Sequence, residues 1–281
     1  VNGVANYDPH FSKVVLFMPG EFSDGAAPLD QSRYRRILTT DGGAQVVNDD
    51  SPDGVVGSVR CWRQAFPGFS GAVVASAGSV PPEMNITGRT FTLESFCRFN
   101  DVDDGDVRGD VFEIGKSVTY EYGVWSEGLR VFMSDPYTVV AQFTDEVGGV
   151  YAFAAPIRYP AGVYEGALPF FHLALVVEGG VTVRIYTNGV HTGGGIIGPY
   201  SAGAWAPQAG NVVIGHRYVD VYDAENPIKD RGFGGFLAQL RAPGLEHAGV
   251  DEGLCRQEVV HLEGDFLGVG SESGAGDRRG D

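Results

Sequence analysis

Residues 171–187 place hydrophobic side chains at every second position in two arms. One face of each arm is apolar: Phe171, Leu173, Leu175 and Val177 in the first arm, and Val181, Val183 and Ile185 in the second. A period of two residues is typical of a half-buried β-strand. Residues 178–180 (Glu-Gly-Gly) suit a tight connection, and Asn188-Gly189 marks a second tight turn. The pattern therefore predicts a β-hairpin over residues 171–186.

A second alternating segment covers residues 90–99. One face is mostly apolar: Phe91, Leu93, Ser95, Cys97 and Phe99. The other face places Phe96 among Thr92, Glu94 and Arg98. We expect the first face to lie in the core, and we expect a second sheet to cover part of the other face.

Shorter runs along the chain, bounded by Gly, Pro or Asp, predict further strands. They lie at residues 14–18, 59–63, 69–76, 111–114, 118–125, 129–134, 138–143, 150–154, 211–216 and 232–242. Residues 37–40 and 44–48 are predicted to pair across Asp41-Gly42-Gly43, and residues 192–210 are predicted to form a glycine-rich loop. About fourteen short strands, with turns every 8–12 residues or so, predict an all-β fold with two antiparallel sheets packed as a sandwich.

The domain organisation follows from where this pattern starts and stops. Residues 1–12 are polar and are predicted to form an N-terminal arm, and residues 13–246 are predicted to form one sandwich domain. Residues 247–281 are predicted to be a C-terminal extension. It has room for one short helix within residues 245–262, and its Gly-, Ser- and acid-rich tail is of a composition that does not order by itself.

Composition narrows the classes of function. The formal net charge of −16 argues against a nucleic-acid binder and against an anionic membrane surface, and it is also consistent with a simple role in solubility. No apolar run approaches the roughly 18 residues of a membrane-spanning helix. The first residues lack the pattern of a secretory signal, so we expect folding in a cytoplasm. Cys61, Cys97 and Cys255 form no C-x-x-C pair and are expected to be buried, reduced thiols.

Three ordered segments resemble motifs of concanavalin A-like, laminin-G type jelly-roll domains. They are residues 91–98 (FTLESFCR), residues 172–190 (a hairpin ending RIYTNGV) and residues 213–215 followed by 233–241 (VIG…FGGFLAQLR). Ala238-Gln239 stands where this family usually has an acidic pair. Residues 8–16 (DPHFSKVVL) also resemble the start of such domains in bacteriophage virion proteins. The resemblance implies a jelly-roll sandwich, a fold that serves lectins, adhesins, glycanases and viral surface proteins alike.

One loop is a candidate for calcium. Residues 100–110 hold five aspartates, and carboxylate oxygens on a flexible loop are the ligands that Ca²⁺ prefers. Gly105 falls where a calcium loop of the D-x-[DN]-x-[DN]-G type has its third ligand. A solvated acidic turn between two strands explains the same composition, and no other cofactor is indicated.

Catalytic residues are not indicated. A glycanase needs two carboxylates facing the same cleft, but Glu113, Glu121 and Glu127 stand singly on their predicted strands. The G-x-S-x-G, H-E-x-x-H and P-loop patterns are absent from the sequence. His172 is predicted to lie opposite the core face of its strand, in a structural or surface role. The sequence therefore predicts no catalytic residue and no enzyme activity.

Four loop aromatics are candidates for stacking on sugar rings: Trp125, Tyr164, Tyr200 and Trp205. The alternative is that they pack beneath long loops. The predicted function is a bacteriophage virion surface protein, in a head decoration, spike or tail fibre. Its partners would be other virion proteins, further copies of itself in a symmetric assembly and a host-surface glycan. The alternative is a free bacterial carbohydrate-binding lectin or adhesin module.

Overall fold

The computed structural model describes residues 14–19, 23–41, 44–48, 50–61, 72–84, 90–99, 109–120, 123–144, 149–159, 168–197, 210–215 and 235–243. The chain divides into two compact units, residues 1–248 and 249–281. All described residues belong to the first unit. The predicted N-terminal arm (1–12) and C-terminal extension (247–281) lie outside the described residues.

Fifteen strands lie within the described part of the chain. They are β1 (Val14–Met18), β2 (Thr39–Asp41), β3 (Gln45–Val47), β4 (Ser58–Cys61), β5 (Ala72–Ser76), β6 (Phe91–Phe99), β7 (Gly109–Tyr120), β8 (Gly123–Asp135), β9 (Thr138–Thr144), β10 (Val150–Pro156), β11 (Phe171–Glu178), β12 (Thr182–Thr187), β13 (Val190–Ile196), β14 (Asn211–Ile214) and β15 (Gly235–Pro243). A short 3₁₀ helix covers Pro82–Met84. No helix in this part of the chain is long and apolar enough to cross a membrane. The predicted all-β class is confirmed.

The strands form two antiparallel sheets. One has the order β13-β12-β11-β6-β15-β4-β3, and β1 also pairs with β15 to make it eight-stranded. The other is seven-stranded, with the order β10-β9-β8-β7-β14-β5-β2. One hydrophobic core lies between their facing sides, and its largest fully buried side chains include Phe99, Phe112, Phe143 and Phe171. The predicted two-sheet antiparallel sandwich is confirmed.

The hairpin predicted at residues 171–186 is present as β11 and β12. Leu175 lies opposite Ile185 and Val177 lies opposite Val183, and all four side chains are buried. Gly179 and Gly180 take positive φ in the connection, as the turn requires. Burying each such side chain contributes roughly 1.5–3 kcal/mol, so the apolar faces fix the register of the hairpin.

Strand β6 lies beside β11 and has the alternation predicted for it. Its residues are buried and half-buried in turn, with Phe91, Leu93 and Cys97 in the core. The seven-stranded sheet packs against this core face. No strand among the described residues covers the opposite face, although Val176 and Phe236 on that face are buried. Cys61 and Cys97 are free and buried, as predicted, and burial raises the pKa of each thiol to about 12. Cys255 lies outside the described residues.

The predicted hairpin between residues 37–40 and 44–48 is wrong. Strand β2 pairs with β5 in the seven-stranded sheet, whereas β3 pairs with β4 in the eight-stranded sheet. The chain therefore crosses from one sheet to the other between these two strands. An Asp-Gly-Gly sequence permits a sharp bend, but it carries no information on which sheet receives the next strand.

Two other predicted boundaries are also corrected. Residues 118–125 do not form one strand: β7 ends at Tyr120, β8 begins at Gly123, and Val118 lies opposite Trp125. Apolar alternation continues through the reversal because both arms share the same period. The start of the predicted 192–210 loop is instead part of β13, which pairs with β12.

The glycines of β13 have a packing role. A Cβ on Gly193 would lie 2.7 Å from the carbonyl oxygen of Ala154. A Cβ on Gly195 would lie 2.4 Å from a ring carbon of Phe153. Glycine is thus required where β13, at the end of one sheet, packs closely against β10, at the end of the other.

A candidate recognition face

The outer face of the eight-stranded sheet collects arginine and aromatic side chains from neighbouring strands. Phe236 of β15 lies opposite Arg98 of β6 on one side and Arg60 of β4 on the other. The β6 alternation that buries Cys97 and Phe99 necessarily turns Phe96 and Arg98 outwards. We define the recognition face as Arg60, Phe96, Arg98, Phe170, His172 and Phe236.

Arg98 lies at the centre of this face. Its guanidinium carbon is 4.5 Å from the ring centre of Phe236 and 5.0 Å from that of Phe170. The two rings meet edge to face with 6.3 Å between their centres. Asp50, in the loop before β4, forms an ion pair with the guanidinium. Each cation–π contact is worth about 0.5–2 kcal/mol, so rings and carboxylate together hold the guanidinium in one place.

The Arg98 guanidinium keeps unused hydrogen-bonding capacity. Its Nε atom is buried and has no hydrogen-bond partner among the described residues, although the side chain as a whole is 19% exposed. An arginine fork can bind two acceptors at once. The ion pair with Asp50 therefore does not use all of the donors that Arg98 presents.

His172 lies next to Phe96 on the same face, opposite the core as predicted. The two ring centres are 5.1 Å apart, and His172 Nδ1 is buried with no hydrogen-bond partner among the described residues. Asn188 fixes the backbone, because its side-chain Oδ1 accepts a hydrogen bond from the His172 backbone N–H and its backbone N–H donates to the His172 carbonyl. Burial, and then the positive charge of Arg241, lowers the pKa of His172 to about 4. The ring is therefore neutral at physiological pH.

Beyond the recognition face, the outer face of the eight-stranded sheet carries further aromatic and charged side chains. The guanidinium of Arg241 lies 5.3 Å from the ring centre of Phe17, and Glu94 lies opposite Arg241. Tyr186 and the exposed His191 have ring centres 5.3 Å apart. Apolar ring surfaces and charged donors thus alternate across the sheet. This combination suits binding of a molecule with both C–H faces and oxygen acceptors.

The acidic candidates lie elsewhere. Asp110 is the second residue of β7 and is fully buried. It forms an ion pair with Arg130 of β8, with 2.6 Å between its Oδ1 and a guanidinium nitrogen. Its second carboxylate oxygen has no hydrogen-bond partner among the described residues. Glu113 is buried opposite Arg130, on the outer side of the seven-stranded sheet. Within the described ranges, no three His, Cys, Asp or Glu side chains group as metal ligands do.

The remaining predicted site residues are not brought together by the described structure. Trp125 and Glu127 belong to β8. The rest lie outside the described residues: Tyr164, Tyr200, Trp205, Glu121 and residues 100–108 of the acidic loop. Arg60, Phe170 and Phe236 were not singled out by the sequence. Only the pairing of β15 with both β6 and β4 brings Phe236 opposite Arg98 and Arg60, and Phe170 precedes β11.

Comparison with known proteins shows the fold. No family model and no curated protein matches the chain. The binding domain of Paraclostridial mosquitocidal protein 1 superimposes with a TM-score of 0.59 and 12% identity, over 90% of this chain and 53% of that one. A second structure is of botulinum neurotoxin type C, whose cell entry depends on interaction with two ganglioside molecules. It superimposes with a TM-score of 0.61 and 11% identity, over 91% of this chain and 53% of that one. The chain has a sandwich of the jelly-roll type.

A third structure is the binding domain of botulinum neurotoxin DC in complex with rat synaptotagmin II. It gives a TM-score of 0.60 at 10% identity, over 90% of this chain and 52% of that one. The chain thus spans about half the length of each of these solved structures. The predicted jelly roll is confirmed, while its laminin-G type and the relation to bacteriophage proteins stay predictions.

Proposed function

We propose that this domain is a non-enzymatic binding module whose recognition face contacts a glycan. The observation that carries the proposal is the setting of Arg98. It is held between Phe170 and Phe236, and its buried Nε has no acceptor among the described residues. The half-buried rings of Phe96 and Phe170 offer apolar platforms for the C–H face of a sugar, whereas the Phe236 ring is itself buried. The guanidinium offers donors to hydroxyl or carboxylate oxygens on the same sugar.

The structural neighbours support binding as the class of function. Two of the solved structures compared above are binding domains of toxins. Gangliosides and synaptotagmin are partners of those proteins, and this chain matches only about half of each. They favour a surface-recognition role for this chain without identifying its ligand.

The test is a glycan array followed by calorimetry on Phe170→Ala. Removing the ring that faces Arg98 should weaken glycan binding by about tenfold or more, as expected for an aromatic anchor in a binding site. Phe132→Ala is the matched control, because Phe132 is also half-buried and stacks 4.3 Å from an arginine, Arg130, but on the other sheet. An array without hits, or equal losses in both variants, would refute the recognition face.

We further propose that the module is carried on the surface of a bacteriophage virion, in a head decoration, spike or tail fibre. The support is the resemblance of residues 8–16 and of the three ordered motifs to virion jelly-roll domains. The protein should then copurify with particles in symmetric copy number. Recovery only as free monomer from lysates would contradict this.

The competing proposal is a free bacterial lectin or adhesin module. It has the same support from the binding domains among the structural neighbours, but it needs no particle. Fractionation separates the two proposals, because a lectin would be found at the cell surface or in the medium in the absence of particles.

A further inference from the structure

One flank of the sandwich presents two strand edges side by side. Strand β13 ends the eight-stranded sheet and β10 ends the seven-stranded sheet, and among the described strands they pair only with β12 and β9, respectively. Neither strand contains Asp, Glu, Lys or Arg. We call β10 and β13 together the open flank.

The open flank exposes apolar side chains. Ile196 is 67% exposed, Val190 is 48% exposed and Val150 is 42% exposed. Ala152 and Ala154 of β10 are exposed as well. Soluble proteins usually protect such edges with charged residues, prolines or a covering loop. Strand β13 contains neither a proline nor an Asp, Glu, Lys or Arg residue.

Some backbone groups of β13 point away from the sheet. The amide of Ile197 donates to the carbonyl of Val181, towards β12. Because successive amides point in opposite directions along a strand, Gly194 and Ile196 direct their N–H groups away from β12. Both residues are exposed. Glycine at the middle of the strand also lets another backbone approach closely.

At the opposite flank, a loop within the described residues covers the edge of the eight-stranded sheet. Strand β3 has three residues, and the Val46 N–H donates to the Ala26 carbonyl while the Val46 carbonyl accepts from the Gly25 amide. A loop thus occupies that edge. Strand β2, at the same end of the other sheet, also has only three residues.

We propose that β13 pairs antiparallel with β13 of a second copy of this chain across a two-fold axis. Each copy carries a net charge of −16, so two copies repel one another over most of their surfaces. The uncharged open flank is a place where they can meet without bringing carboxylates together. In a two-fold contact, the outward N–H groups of each β13 face outward carbonyl groups of the other β13, and both copies make the same hydrogen bonds. The contact also joins the two eight-stranded sheets into one continuous sheet.

The test compares Ile196→Pro with Ile196→Thr by analytical ultracentrifugation. Proline removes the outward N–H and is tolerated on the open side of an edge strand, so β12 pairing should survive. Ile196→Pro should raise the dimer dissociation constant about tenfold or more, since two symmetric hydrogen bonds are lost. Ile196→Thr keeps the N–H and should remain dimeric. Circular dichroism and thermal melting confirm that both variants fold.

Two further readouts make the outcome decisive. Hydrogen exchange at Gly194 and Ile196 should slow as protein concentration rises, and added salt should strengthen the dimer by screening the negative charge. A wild-type protein that stays monomeric overturns the proposal. So does a dimer that persists in Ile196→Pro, or one lost equally in Ile196→Thr, which would indicate association through side chains. A monomer whose edge is protected only by an added extended peptide would identify a different occupant and also overturns it.

Discussion

His172 should make the stability of this domain sensitive to mild acid. The ring lies half-buried beside Phe96, its Nδ1 has no hydrogen-bond partner among the described residues, and its pKa is lowered to about 4. In the unfolded chain the pKa is about 6.5. Between these two values the unfolded state binds a proton that the folded state does not. Stability is therefore full above about pH 6.5 and falls as the pH drops towards 4.

The size of the effect follows from the two pKa values. A shift of about 2.5 units corresponds to roughly 3 kcal/mol once both states are protonated. At about pH 4.5 most of it is already lost, and partial solvent screening of a half-buried ring reduces it to about 2 kcal/mol. Carboxylates also titrate in this range, so the contribution of His172 has to be separated by substitution.

The assay is urea denaturation across the range from about pH 7 to pH 4.5, for wild type and His172→Phe. Phenylalanine keeps the stacking on Phe96 and cannot titrate. The difference in unfolding free energy between the two proteins should shift by about 2 kcal/mol in favour of the variant as the pH falls. His191→Phe is the control, since His191 is exposed. Parallel pH profiles for wild type and His172→Phe would refute the reasoning.

Three further predictions concern packing, a buried carboxylate and calcium. Gly195→Ala should lower the unfolding free energy by about 1–3 kcal/mol in urea denaturation, because the new Cβ would meet the Phe153 ring at 2.4 Å. Unchanged stability would contradict the tight packing of β13 against β10. Asp30→Ala should lower the unfolding free energy by about 3 kcal/mol or more in the same assay, since the buried Asp30 carboxylate accepts hydrogen bonds from three backbone amides and pairs with Arg36. A loss of unfolding free energy below about 1 kcal/mol would show that water replaces the carboxylate. If the acidic loop ending at Asp110 binds calcium, EDTA should lower the melting temperature and added Ca²⁺ should restore it, whereas an unchanged melting temperature excludes the site.

Local patterns in the sequence were sufficient to predict most strands of the fold. Strands β1, β6 and β11 lie within one residue of their predicted bounds, because alternation and turn residues act over a few neighbouring positions. Sheet membership is a long-range property. Consecutive strands β2 and β3 belong to different sheets, and the turn residues Asp41-Gly42-Gly43 between them do not specify which sheet receives the next strand.

The recognition face was predictable only in part. Alternation alone turned Arg98, Phe96 and His172 away from the core, and the structure agrees. Phe170 precedes its strand. Phe236 joins the face through its register with Arg98 of β6, and Arg60 joins it through its register with Phe236, and both pairings span more than a hundred residues of sequence. Glycine composition was misleading at β13, where glycine serves close packing between strands and not a loop.

The position of β15 determines when this domain can fold during synthesis. Residues 235–243 lie between β6 and β4 and also pair with β1, so the last described strand occupies the middle of the eight-stranded sheet. A ribosome-bound chain that ends before β15 leaves the edges of β1, β4 and β6 without their partner. Such a nascent chain exposes aggregation-prone strands until translation has passed this point. A pause in translation upstream of residue 235 should therefore reduce the yield of soluble protein, and chaperones that shield strand edges should restore it.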